Sequence, residues 1–149
     1  MKVIMSILIC CPSTGLNSME QVHLKYWFPD LTTLWQDLGI QYIDRGLTYP
    51  KVDRSLSDGV FEMTVAANRL TITMHVDWEF SNVDFNGWVL TAVTGGLDFS
   101  DARILQSSAP TSLIRLTSTT DVISVNWGGT PFVANDVLVI GFKYSDISE

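Results

Sequence analysis

From Glu20 onward, apolar and polar residues alternate along most of this chain, and a period of two is the periodicity of a β-strand with one face buried and one face wet. Val22, Leu24, Tyr26 and Phe28 fall on one face of the first such run, with His23, Lys25 and Trp27 on the other. Phe61, Met63 and Val65 form a second face, and Leu70, Ile72, Met74 and Val76 a third. Ala66-Ala67-Asn68 between those two reads as a tight hairpin turn. Further runs over 83–93, 99–105, 112–116, 121–127 and 136–144 are separated by Gly, Pro, Ser, Asn or Asp. Short strands at such regular spacing predict an all-β fold, an antiparallel β-sandwich of jelly-roll or immunoglobulin-like type with about 8–9 strands, and not a βαβ arrangement.

The pattern has three exceptions. Leu31 to Asp37 breaks alternation, since Leu31, Leu34 and Trp35 also suit one helical turn before Ile40 and Tyr42 restore it. Lys51 to Gly59 is polar and turn-rich. Val137 to Phe142 is apolar on both faces, which predicts a central strand covered on both sides, a remnant of the amino terminus being one candidate cover.

Residues 19–149 are read as a single sandwich domain, a size at which a chain buries roughly 68–70% of its unfolded surface without staples. Residues 1–18 carry Lys2, the apolar run Val3 to Cys11 and then Pro12, Ser13, Thr14 and Gly15. That order fits either a signal peptide or an upstream extension from a start-site choice, with Met19 opening the domain. The run is too short for a membrane span, which needs about 20 apolar residues. Cys10 and Cys11 are adjacent and precede the patterned region, so neither a disulfide framework nor a cysteine zinc site is expected in the folded body.

A net charge of −7, from 16 acids against 9 bases, disfavours nucleic acid as a partner, because phosphate-held binding needs clustered Lys and Arg. Enzymatic signatures are equally thin. His23 and His75 are the chain's two histidines, and both are expected on the water-facing side of strands. No phosphate loop, nucleophile elbow or zinc signature is present. Asp77 and Glu79 share a strand face at a separation of about 6.5–7 Å between Cα atoms, within the range of glycosidase pairs, but such pairs usually face each other across a cleft.

Asp77, Glu79 and Asp84, with the Asn82 amide, offer hard oxygen ligands in a strand-to-loop segment and form the candidate Ca²⁺ set; Asp53 and Asp58 form a poorer one. Five tryptophans are the other resource: Trp27, Trp35, Trp78, Trp88 and Trp127. Trp27 lies opposite the core face of its strand, and Trp78 sits at an acidic strand end, so these two are the candidates for exposure. An exposed ring on a sheet stacks sugar rings while nearby Asp, Asn and Gln bind hydroxyls. Trp27, Trp78, Asn86 and Trp88 make up the candidate ligand set.

Several short segments add a resemblance: Tyr26-Trp27-Phe28-Pro29-Asp30, Thr33-Leu34-Trp35-Gln36, Leu70-Thr71-Ile72-Thr73, Phe85-Asn86-Gly87-Trp88-Val89-Leu90-Thr91 and Ile123-Ser124-Val125-Asn126-Trp127-Gly128-Gly129. Over Val22 to Phe142 the chain resembles a small β-sandwich domain of exported bacterial proteins, including the PEP-CTERM group and large surface proteins with Ca²⁺-type repeats. The resemblance implies an extracellular or cell-surface module without assigned chemistry and supplies no catalytic residues. The chain departs from the PEP-CTERM pattern in running out at Tyr144 to Glu149 without a Pro-Glu-Pro signal or terminal apolar helix, so sorting by that route is not expected. The expected function is thus a non-catalytic binding or adhesion module, with carbohydrate or a surface protein as partner. A structural, self-associating module pairing through the last strand or an exposed edge is the alternative, and a small carboxylate-based glycoside hydrolase is the reading with least behind it.

Overall fold

A computed structural model describes residues 19–44, 60–66 and 68–144 of the chain. Among these residues there are eleven strands and no helix: β1 (Met19–Trp27), β2 (Leu34–Asp44), β3 (Phe61–Ala66), β4 (Arg69–Met74), β5 (Trp78–Glu79), β6 (Gly87–Ala92), β7 (Leu97–Ser107), β8 (Arg115–Ser118), β9 (Val122–Asn126), β10 (Pro131–Phe132) and β11 (Val137–Tyr144). They build an antiparallel sandwich. One sheet has the order β2-β1-β6-β9-β8, the other β3-β4-β11-β7, and β5 pairs with β10 in a small ribbon. Two strands of two residues each carry the count past the expected eight or nine.

Alternation does the sorting between sheets. Val22, Leu24 and Tyr26 of β1 are at most 2% exposed, and they meet Trp88, Leu90, Ile123 and Val125 from β6 and β9. Phe61, Met63, Leu70, Ile72, Phe99 and Ile140 cover them from the opposite sheet. Each such side chain contributes about 1.5–3 kcal/mol on full burial. The β3–β4 hairpin forms as its turn residues predict, with Ala66 opposite Arg69. Strand β11 is central, hydrogen-bonded to β4 and β7. Leu138, Ile140 and Phe142 enter the core, while Val139 and Gly141 are buried on the other face, where the Leu105 side chain leans over Gly141. The amino-terminal segment, the candidate cover for that face, lies outside the described residues, as do Asp53 and Asp58.

Where structure and pattern differ, side chains satisfying loop backbone explain the difference. Residues 29–33 form a turn and no helix: the Asp30 carboxylate accepts bonds from the Thr32 N–H and hydroxyl, and the Phe28 N–H donates to the Thr33 carbonyl. The run 83–93 is strand only from Gly87. Before it, the Asn126 amide donates to the Asp84 carbonyl and accepts from the Asn86 N–H, so backbone that alternation would place in a ladder is held as a loop. Residues 112–114 form a turn closed by the Ile114 N–H on the Thr111 carbonyl, and β8 starts at Arg115. Val76 lies beyond the end of β4 and is 41% exposed, so it does not continue the face of Leu70, Ile72 and Met74.

No helix among the described residues is long and apolar enough to cross a membrane.

Candidate ligand-binding cleft

The β1–β2 pairing is interrupted twice. Leu24 faces Gly39 but Lys25 faces Asp37, and Tyr26 faces Gln36 but Trp27 faces Leu34, which leaves Leu38 and Trp35 as the extra residues of two bulges. Gly39 has φ +85°, a conformation a side chain would oppose. A bulge re-aims the side chain it carries. The second one turns Trp35 to the end of the sandwich, 55% exposed, with its ring edge-on to Phe28 at 5.4 Å and 89°.

Facing it is the β5–β10 ribbon, where Trp78 pairs with Phe132 in register and is 47% exposed. Its ring meets Phe80 at 6.4 Å, and Phe80 stacks on buried Trp127 at 4.6 Å and 23°. Between the two tryptophans lies a cleft of about 180 Å³ lined also by Tyr26, Phe28, Glu79, Phe80, Ser81 and Asn86. One tryptophan is thus carried by a strand bulge and the other by a separate ribbon, with the core's aromatic cluster behind them.

The floor is held by a buried relay. The Trp127 indole N–H donates to the Tyr26 hydroxyl at 2.7 Å, and that hydroxyl donates to Asn86 Oδ1 at 2.6 Å. Asn86 Nδ2 donates to the Ser81 carbonyl at 3.1 Å, and the Trp127 backbone N–H to the Asn86 carbonyl. Burial pushes the Tyr26 phenol well above its ordinary value of 10.0, partly offset by the Trp127 bond, so it stays a neutral O–H donor. Glu79 is the carboxylate among the described lining residues; no Lys, Arg or His lines the cleft with it.

Of the four residues of the candidate ligand set, the cleft takes two. Trp78 forms one wall, and Asn86 sits in the floor with its carbonyl committed to Tyr26 and its amide to Ser81. Trp88 is a correction: it has no exposed surface, because it occupies the inner face of β6 against Trp127. Trp27 ends β1 half-buried and does not line the cleft. Trp35 is the wall that period-two reading overlooked. The break of alternation between Leu31 and Asp37 was its visible signal, since a bulge is one way to break phase.

The calcium set does not assemble. Among the described residues no three Asp, Glu, His or Cys side chains come together as a metal site, so Asp77, Glu79 and Asp84 do not converge around Asn82. Asp77 instead accepts the Ala134 N–H at 2.9 Å, tying the ribbon to the β10–β11 turn, and only Glu79 reaches the cleft. Shared sequence neighbourhood did not become shared direction because a two-residue strand and a loop carry these acids. Both histidines have carboxylate partners: His23 Nε2 lies 2.7 Å from Asp37, and His75, just past β4, lies 3.3 Å from Glu62.

No family model, curated protein or solved structure matches the chain.

Proposed function

We propose that this protein is a non-catalytic binding module of the cell exterior that takes a carbohydrate ring between Trp35 and Trp78. The observation that supports this reading is the pair of half-exposed tryptophans on either side of a cleft with an aromatic floor. Large aromatics left in water cost hydration free energy, and that cost is offset when sugar C–H groups cover the ring faces. Glu79 at the cleft accepts hydroxyl hydrogens, and the absence of a lining cation among the described residues suits an uncharged sugar. The site's fixed floor limits reorganisation on binding, which favours affinity.

A glycan array followed by calorimetry on the hits tests the proposal. Binding to neutral glycans that disappears in both Trp35→Ala and Trp78→Ala supports it. An array without hits, or hits that survive both substitutions, removes it.

Self-association has one observation of its own. Among the described residues strand β2 is an edge, and Leu34, Ile40 and Tyr42 on it are 43–50% exposed. Such an edge is a template for strand pairing. Light scattering against concentration distinguishes this reading, which requires a mass that rises with concentration.

A further inference from the structure

The sheet register places two arginines on either side of a glycine. Gly141 of β11 is opposite Arg69 of β4 on one flank and opposite Arg103 of β7 on the other. All three point to the outer face, since their neighbours Ile140 and Phe142 are core residues. With strands about 4.8 Å apart, the two arginine Cα atoms are roughly 9–10 Å apart, and the Leu105 side chain reaches over the glycine between them. A cavity of about 210 Å³ occupies this place, lined by Arg69, Arg103, Gly141, Leu105, Asp101 and Lys143 among others.

Charge makes the arrangement unusual for this chain. Three of its nine basic residues line one cavity of a protein of net charge −7. Asp101 is the one lining carboxylate among the described residues, and it takes the Lys143 ammonium at 2.7 Å. Among the described residues neither Arg69 nor Arg103 has an ion-pair partner. Two guanidinium groups facing one trough repel each other until an anion lies between them, and each presents a planar fork that matches an oxyanion edge.

We infer that the Arg69–Gly141–Arg103 trough is a binding site for a tetrahedral oxyanion, a phosphate or sulfate group, on the sheet face away from the aromatic cleft. A lysine in either position keeps the charge and loses the second hydrogen bond of the fork.

The test is a titration of the full chain with inorganic phosphate and with inorganic sulfate, at ionic strength held constant with sodium chloride, read by calorimetry and by backbone amide shifts. The expected result is saturable binding with shifts centred on Arg69, Arg103 and Gly141. Arg69→Gln and Arg103→Gln each weaken it about tenfold or more, as expected for loss of a charge-assisted pair. Arg69→Lys weakens it less. Arg115→Gln, on β8 of the other sheet, leaves it unchanged. Melting temperatures close to that of the parent chain establish that the arginine variants are folded. A parallel titration with a sugar phosphate and a sugar sulfate identifies the source: tighter binding of an ester assigns the site to a group on a larger molecule, and tighter binding of the inorganic ion assigns it to the free anion. Shifts that do not saturate, that chloride reproduces, or that Arg115→Gln reduces as much as Arg69→Gln overturn the inference.

Discussion

Replacing Tyr26 by Phe isolates the relay beneath the cleft, because the ring stays and only the hydroxyl leaves. That oxygen accepts from the Trp127 indole and donates to Asn86 Oδ1, and Tyr26 and Trp127 are at most 2% exposed. The substitution removes two hydrogen bonds and leaves a buried donor and a buried acceptor facing a gap the size of one oxygen. An unpaired buried group costs about 1–3 kcal/mol, so the two together predict a loss of about 2–6 kcal/mol. For a domain of 149 residues the unfolding entropy is about 0.3 kcal/mol/K, and the loss corresponds to a fall in Tm of roughly 6–19 °C. Urea unfolding at pH 7 and calorimetry measure both quantities.

The alkaline limb supplies an independent readout. A phenol whose folded pKa lies above its unfolded value of 10.0 binds more protons in the folded state once pH passes 10, so its contribution to stability is present below pH 10 and declines as pH rises further. The Phe variant lacks that part of the decline. A loss under 1 kcal/mol together with an unchanged alkaline limb would refute the relay as a stabilising element.

Four further outcomes follow from the same structure. Trp35→Ala and Trp78→Ala each cost less than the 3–5 kcal/mol typical of a buried aromatic, because about half of each ring is already wet; urea midpoints near that of the parent chain check this. Gly87→Ala places a Cβ 1.8 Å from the Val125 carbonyl oxygen, which is ladder backbone and has no rotamer to yield, so β6 and β9 must separate and the loss exceeds about 3 kcal/mol in denaturant unfolding. Trp88→Phe removes an indole N–H that is buried without a hydrogen-bond partner among the described residues, whereas Trp127→Phe removes one that is bonded; calorimetry is expected to find the Trp88 variant the more stable of the two by about 1 kcal/mol. At low pH, Asp37 is held below its usual range by the His23 bond and then by the Gly39 N–H, and Asp30 and Asp98 are lowered by Thr32 and Ser100. Depressed carboxylates stabilise above their unfolded value of 3.8 and lose that contribution as pH falls through the lower folded value, so Asp37→Asn flattens the acid limb of a Tm-against-pH profile below about pH 4.

Strand identity was legible wherever one face is buried, because period-two burial writes itself into residue choice. Val22, Leu24 and Tyr26 announce β1, and Leu70, Ile72 and Met74 announce β4. The two-sided apolar run of β11 likewise announced a central strand. Local chemistry also marked the β3–β4 turn. Loops held by distant side chains were not legible in this way: nothing in residues 83–86 says that Asn126, some forty positions later, supplies their backbone partners.

Site residues were harder to read for the same reason. Trp88 and Trp78 both follow strand-like patterns, and what separates them is the partner layer that covers one and stops short of the other. Trp35 became a cleft wall through a register shift, which is a property of two strands together. The acids between Asp77 and Asp84 are near in sequence yet do not converge, whereas Arg69, Arg103 and Gly141 are distant in sequence and adjacent in space. Alternation by itself therefore determined which residues become strands and which of their faces turn inward, since that depends only on the pleat. Strand order, register and bulges depend on hydrogen bonds between segments far apart in the chain, and they alone decided where the aromatic cleft and the arginine trough lie.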